Sequence, residues 1–431
     1  MKKLLVIQVA ALGWDLVNTY TSVADSFEFH PIDPIFPAVT CVAQATLRTA
    51  LRPVGHGMIA NGRYFRDLRR VMFWEQAASL VHGDRVWSSA RDRGRTVGMI
   101  FWQQSLGEHV DLLLSPKPVH KHGGGMIQDC YGLPADLYPR LTESVGRPFN
   151  LMNYWGPRTS RRSSDWIVAA IRAVLSSPDL APDVLFGYIP HLDYDLQKFG
   201  PDSKQAKRAL NVTIGYLKEL RQSAEERGYE TLFVGDYAIG SVTNGAVFPN
   251  RLLREAGLFR VRSVRGRAYP DFYASPALAM VDHEIAHVFL QDSMQESIMR
   301  DVFSSCPGIA QILGPNEQKA VGIACKNSGN LVLVAAPGYW FAYAWWKQRA
   351  EAPDYASHVN IHNKPGFDPC ELFMGWPPIS VSQDTNRIQG SHGSVRSDRR
   401  IAWGGSCQFA EQPQSFLELA RSLRDWIDHV L

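Results

Sequence analysis

Cysteine is sparse and unpaired in this chain. Cys41, Cys130, Cys306, Cys325, Cys370 and Cys407 are scattered over 431 residues without a single CxxC spacing. That pattern excludes a disulfide framework and a cysteine-ligated zinc site, and it fits buried thiols in a reducing compartment, so a cytoplasmic location is expected. No apolar run reaches the roughly 18 residues that a membrane-spanning helix needs, and no membrane partner is expected. The opening "MKKLLVIQVAALGWD" imitates a signal peptide, but it meets an acidic residue early and lacks a small-residue cleavage site; it reads as a first buried strand. Neither sign of charge dominates, because 45 Lys and Arg stand against 42 Asp and Glu. With no basic block and no RNP-like aromatic pattern, a nucleic acid polymer is not an expected partner, whereas a small polar or anionic ligand is.

What is present is an alternation of two patterns. Short apolar runs rich in β-branched residues ("KLLVIQVAAL", "DVLFGYIP", "ETLFVGDYAI", "IAHVFLQ", "NLVLVAAPG") read as strands buried on both faces. Between them lie amphipathic stretches such as "SSDWIVAAIRAVLSS" and "SKQAKRALNVTIGYLKELRQSAEERG", the second closed by Gly228. The alternation predicts an α/β fold with a central, mostly parallel sheet between helices. Ligands in such sheets sit beyond the carboxyl ends of the strands, where "GWD", "HLDYD" and "GDYAI" fall. Residues 251–354 are less regular and read as a smaller α+β insertion or cap within one catalytic domain of residues 1–431.

Candidate chemistry falls at strand ends and in loops: Asp15 after the first strand, Thr40, Asp193 in "PHLDYDLQKFGP", Asp236 in "FVGDYAI" and His392 in "GSHG". Carboxylates beside a hydroxyl and a histidine are what a two-metal phosphoryl-transfer site requires, since the ions lower the nucleophile's pKa and neutralise phosphate charge. His283 and His287, four apart, are expected on one face with Asp282 adjacent; His191 and His362 are further candidates. A thiolate at Cys41 is the weaker alternative to Thr40, because no local histidine pairs with it. "HGGGM" at 122–126 reads as a surface loop, and "YWFAYAWW" at 339–346 as core packing before base stacking.

Together these residues resemble the nucleotide pyrophosphatase/phosphodiesterase family of the alkaline phosphatase superfamily. In "TCVAQATLRTALRPVGHGMIAN", Thr40 begins a helix and is followed by the "TLRTALRP" core, an "HG" and Asn61 at the family's spacing. The resemblance implies that Thr40 is the nucleophile and Asn61 the phosphate-binding amide. It further implies that Asp15, Thr40, Asp193, Asp236 and His392 are metal ligands. Several positions depart from the family: Gln197 and Tyr237 stand where it has ligand histidines, Cys41 to Ala43 where it often has Phe, Pro and Asn, and Ala50 where it usually has Gly. The oxygen-rich set that remains makes manganese, magnesium, iron or calcium as fitting as zinc for the two divalent ions the resemblance implies. Gln197, Tyr237, His283 and His362 are then candidate metal or substrate residues.

The expected activity is hydrolysis of phosphodiester or pyrophosphate bonds of a small phosphorylated substrate through a phosphothreonine intermediate, on an alkaline phosphatase-like scaffold. The alternatives are a phosphonate or phosphomonoester hydrolase, and a catalytically degenerate protein that binds a phosphorylated ligand. The oligomeric state is left open.

Overall fold

The computed structural model describes residues 2–20, 27–291, 296–378 and 380–431. Along the chain, β1 (Lys3–Val9) leads into the short helix α1 (Trp14–Thr19), β2 (Phe29–Ile32) and helix α2 (Thr40–Thr49). Strands β3 (Val97–Ile100), β4 (Leu112–Pro116) and β5 (Cys130–Leu133) precede helix α3 (Arg162–Ser176). Next come β6 (Val184–Ile189), α4 (His191–Phe199), α5 (Lys204–Glu225) and β7 (Tyr229–Gly235). Strands β8 (Ala277–Asp282), β9 (Ile285–Leu290), β10 (Ile309–Leu313) and β11 (Leu331–Ala335) follow, then β12 (Ile401–Gly405) and α6 (Phe416–Val430).

The main sheet has the order β2-β12-β7-β1-β6-β3-β4-β5. Its inner strands β7, β1, β6, β3 and β4 pair in parallel. The flanking β12, β2 and β5 are antiparallel. The runs read as doubly buried strands have that environment: β6 is buried at every residue, and β1 from Leu4 onward. Alternation divides β1 between two cores. Leu5, Ile7 and Val9 pack on α3 and α5 through Trp166, Ile171 and Leu217, while Leu4 and Val6 pack on α2 and α6 through Val42, Ala45 and Leu423. Each such buried aliphatic side chain contributes about 1.5–3 kcal/mol relative to exposure.

A second, antiparallel sheet of order β8-β9-β11-β10 spans 277–335, inside the segment read as irregular. Its core takes up Tyr343, Trp345 and Trp346 of the aromatic run. The β8–β9 turn is tight, with His283 at φ +60°. Among the described residues no helix is long and apolar enough to cross a membrane.

Candidate active site

The parallel strands β1, β6 and β7 end side by side, and the residues just beyond them form the floor of a cavity. Thr40 is the first residue of α2, and the preceding Val39 offers no side-chain acceptor to the helix's free N–H groups. The Asn61 side chain accepts from one first-turn N–H, that of Cys41, and the others are left as donors for an anion. The helix is buried along its whole length, even at Arg48, whose guanidinium donates to the carbonyls of Gln103 and Gln104 at 2.6 and 2.7 Å. It ends on Ala50 in the left-handed region at φ +53°, a conformation that favours glycine and accounts for the residue type expected there.

Thr40 Oγ1 donates to Asp236 Oδ2 at 3.2 Å and lies 3.4 Å from the Tyr188 hydroxyl. Asp236 Oδ1 accepts from the backbone N–H groups of Ala11 and Tyr237 at 3.0 and 2.9 Å. Close crossing of the two strand ends makes this cradle: a Cβ on Gly235 would stand 2.3 Å from the Leu12 carbonyl. Burial holds the Asp236 carboxyl well above its ordinary pKa, against the pull of the donors.

The neighbouring half of the floor is Asp193, in the first turn of α4. Tyr237 Oη donates to its Oδ1 at 2.9 Å, and Gln197 Nε2, one turn along the helix, donates to its Oδ2 at 2.7 Å. Burial pushes the Asp193 carboxyl up to about 6, while both hydrogen bonds act to lower it. The rings of Tyr237 and His392 stack in parallel with centroids 3.5 Å apart, and His283 lies on His392 at 3.8 Å. His392 Nδ1 meets the Ala38 carbonyl at 2.8 Å, and burial pushes the imidazole down to about 3. Gly393, which follows, sits at φ +123° with a would-be Cβ 3.2 Å from the Glu284 nitrogen, so a side chain there is disfavoured on both counts.

Asn61 is held from two sides. Its Oδ1 accepts from the Cys41 N–H at 3.0 Å, and its backbone N–H and Nδ2 donate to Asp282 at 2.7 and 3.2 Å. Burial pushes the Asp282 carboxyl up to about 7. The Cys41 thiol is likewise pushed up to about 12, the opposite of an activated nucleophile.

A cavity of about 290 Å³ opens above this floor. Thr40, Asn61, Asp193, Gln197, Tyr237, His283, His362 and His392 all line it, and Asp236 joins through Thr40. Trp74, Trp155 and Phe367 form an edge-to-face wall, and the exposed Lys117 is the one Lys or Arg among the described lining residues. His362 sits at the rim, its Nδ1 3.1 Å from the Phe73 carbonyl and 3.7 Å from Glu75.

Asp15 does not reach this floor. The chain leaves β1 with Ala11 at φ +60°, and Asp15 is exposed on α1, lining a separate depression with Asp398 and Arg399. It is the backbone of Ala11 that approaches Asp236. His283 and His287 also part company, since the turn reverses the chain between them. His287 is fully buried and bonded to the Ile59 carbonyl and the Gly329 N–H at 3.0 and 3.2 Å. His191 lies outside the cavity lining. "HGGGM" forms an exposed loop whose Met126 reaches the cavity edge. Tyr188 and Asp282 belong to the site but carry no motif; only the strand-end position of Tyr188 in "FGYIP" signalled it.

The donor set does not fit a pair of divalent ions. Asp15 is elsewhere, both oxygens of Asp193 are taken by neutral donors, and both oxygens of Asp236 are engaged internally. Among the described residues no group of three or more His, Cys, Asp or Glu is arranged to hold a metal ion.

Comparison with known proteins locates this architecture. The model of the type I phosphodiesterase/nucleotide pyrophosphatase family matches residues 5–368. An uncharacterized pyrophosphatase/phosphodiesterase of Schizosaccharomyces pombe is 25% identical over 243 residues, 55% of this chain and 42% of the yeast protein, so the match spans under half of that relative. Murine ectonucleotide pyrophosphatase/phosphodiesterase 5 superposes with a TM-score of 0.62 at 13% identity, covering 99% of this chain and 95% of its own. The same murine protein, as an inactive Thr-to-Ala variant in complex with AMP, matches equally. Phosphonoacetate hydrolase from Sinorhizobium meliloti 1021, in complex with phosphonoacetate, gives a TM-score of 0.65 at 13% identity over 99% of this chain and 96% of that one. These structures share the alkaline phosphatase-like fold, and members of the family typically depend on metal ions. On the strength of the match over residues 5–368, the chain belongs to the type I phosphodiesterase/nucleotide pyrophosphatase family.

Proposed function

We propose that the chain hydrolyses phosphodiester or pyrophosphate bonds of a small phosphorylated substrate, with Thr40 as nucleophile and phosphothreonine as intermediate. The observation that carries this reading is the Thr40–Asp236 hydrogen bond at the N-terminus of a buried helix. As Thr40 Oγ1 attacks phosphorus, its proton passes to Asp236, whose elevated pKa makes it a stronger base than an ordinary carboxylate. The bond to the leaving oxygen breaks on the opposite side. Water then attacks phosphorus of the phosphothreonine and its bond to Thr40 Oγ1 breaks, restoring the hydroxyl and releasing a phosphomonoester from a diester or phosphate from a terminal phosphoryl group. Asn61 Nδ2, now on Asp282 at the long distance of 3.2 Å, and the free N–H groups of α2 are the donors for the phosphoryl oxygens. No step runs through the two divalent ions expected from the family resemblance, because the donor set does not fit them.

The test is hydrolysis of an aryl phosphodiester, an aryl pyrophosphate ester, a phosphomonoester and phosphonoacetate by wild type and Thr40→Ala. Turnover of one class that falls by at least about 10³-fold in the variant supports the reading. Equal turnover in the two proteins would remove Thr40 from the mechanism. A second reading, ligand binding without turnover, is favoured by the saturation of Asp193 by Tyr237 and Gln197. It predicts phosphate binding by both proteins and hydrolysis by neither.

A further inference from the structure

We infer that this floor holds its phosphoryl group through hydrogen bonds in place of a two-ion cluster, and that the group it takes still carries a proton. The inference rests on the cavity being a phosphoryl site, as proposed above. Two atoms carry it. Gln197 Oε1 and His392 Nε2 are buried and without a hydrogen-bond partner, on residues that line the cavity and are 3% and 1% exposed.

Both are acceptors, and their neighbours fix them as such. The Gln197 amide is oriented by its Nε2 donating to Asp193, so the oxygen is the free end. His392 Nδ1 faces the Ala38 carbonyl and must carry the ring hydrogen, which leaves Nε2 with a lone pair. A buried acceptor left unmet costs about 1–3 kcal/mol, and only a donor recovers it. Fully ionised phosphate and sulfate offer lone pairs alone. A phosphoryl group with one P–O–H offers the missing donor, and its lower charge suits a floor lined by Asp193 and Asp236 with no Lys or Arg beside them. The terminal phosphoryl of a pyrophosphate or a phosphomonoester monoanion meets this requirement; a phosphodiester does not. Within the reading proposed above, the site therefore selects terminal phosphoryl groups, the pyrophosphate branch, over phosphodiesters.

The experiment compares inorganic phosphate with sulfate by calorimetric titration of the full chain in chelator-treated buffer. A pH of about 5.5 keeps most phosphate protonated, given a second pKa near 6 for phosphate esters. Phosphate should bind at least about tenfold more tightly than sulfate without added metal. In Gln197→Met, checked for folding by circular dichroism, that ratio should drop toward one. Metal analysis of the purified wild type, grown with added zinc and manganese, should find no stoichiometric ion. Equal affinity for the two anions, binding of neither, binding only after a divalent ion is added, or an ion at one or two per chain would each overturn the inference. None of those outcomes touches the attack by Thr40, which the Thr40→Ala comparison decides separately.

Discussion

The two halves of the cavity floor are built alike and furnished differently. In each, a carboxylate stands just beyond a buried parallel strand, receives a side-chain hydrogen bond from a helix residue, and has its pKa lifted by burial. On the Thr40 side the partner is a hydroxyl that, in the mechanism proposed above, gives its proton to Asp236 and attacks through its oxygen. On the Asp193 side the partners are a phenol and an amide, neither of which ionises readily there: burial holds the Tyr237 phenol well above its usual range. The comparison teaches that one half of a site can exchange its chemistry while the backbone around it stays, provided each replacement satisfies the buried carboxylate.

The sharpest way to break the comparison is Asp236→Asn. It keeps the shape of the Thr40 half but removes its base, and kcat/KM should fall by about 10²–10⁴-fold with the fold intact. Steady-state kinetics on the substrate class that wild type turns over would check it, and an undiminished rate would leave the halves without a functional distinction. Reversing the other half is the next largest effect. The double variant Gln197→His/Tyr237→His returns two imidazoles beside Asp193 and His392, and should bind zinc or cobalt about 10–100-fold more tightly than wild type in a spectroscopic titration. A wild-type chain that already binds as well would erase the contrast.

Asp193→Asn measures what the second half costs the fold. The Asp193 carboxyl titrates at about 6 when folded, against about 3.9 in the unfolded chain, so folding favours its protonated form. Its penalty is therefore absent below about pH 4, grows as pH rises, and is complete above about 6, where it is on the order of 3 kcal/mol. Denaturant midpoints should show the Asn variant gaining on wild type between pH 4 and pH 7, and a gain on acidification would contradict the assignment. The smallest effect concerns the helix that carries Thr40: Ala50→Gly relieves the left-handed cap at φ +53° and should stabilise the chain by about 0.5–1 kcal/mol, read as a rise in Tm.

The central sheet was legible because strands covered on both faces leave continuous apolar runs, as in β1 and β6. The Thr40 helix was legible too, since its start, its length and Asn61 all lie within one short stretch. Asp15 misled because spacing from a strand end carries no information about the turn: Ala11 at φ +60° redirects the chain before Asp15 is reached. The second sheet was hidden by its own turn. "IAHVFLQ" and "NLVLVAAPG" read as buried strands of the central sheet but pair antiparallel in the second one, and "ALAMVDHEIAHVFL" reverses at His283 and Glu284, residues without the glycine or asparagine that normally mark a hairpin. Tyr188 and Asp282 carried no motif that assigns them a place in the site, because tertiary packing brings them to Thr40 and Asn61.

That unmarked turn ties distant parts of the chain together. From three consecutive residues, Asp282 grips Asn61, the His283 ring packs on His392, and Glu284 donates its N–H to the His392 carbonyl at 2.9 Å while its carboxylate accepts from Ser394 and faces Arg399. The proposed reaction centre thus stands between two sheets, and the antiparallel layer supplies part of its backing. If Thr40 and Asn61 act as proposed, a chain whose second sheet has not closed lacks the support for Asn61 and His392, and activity should be lost before the chain unfolds globally.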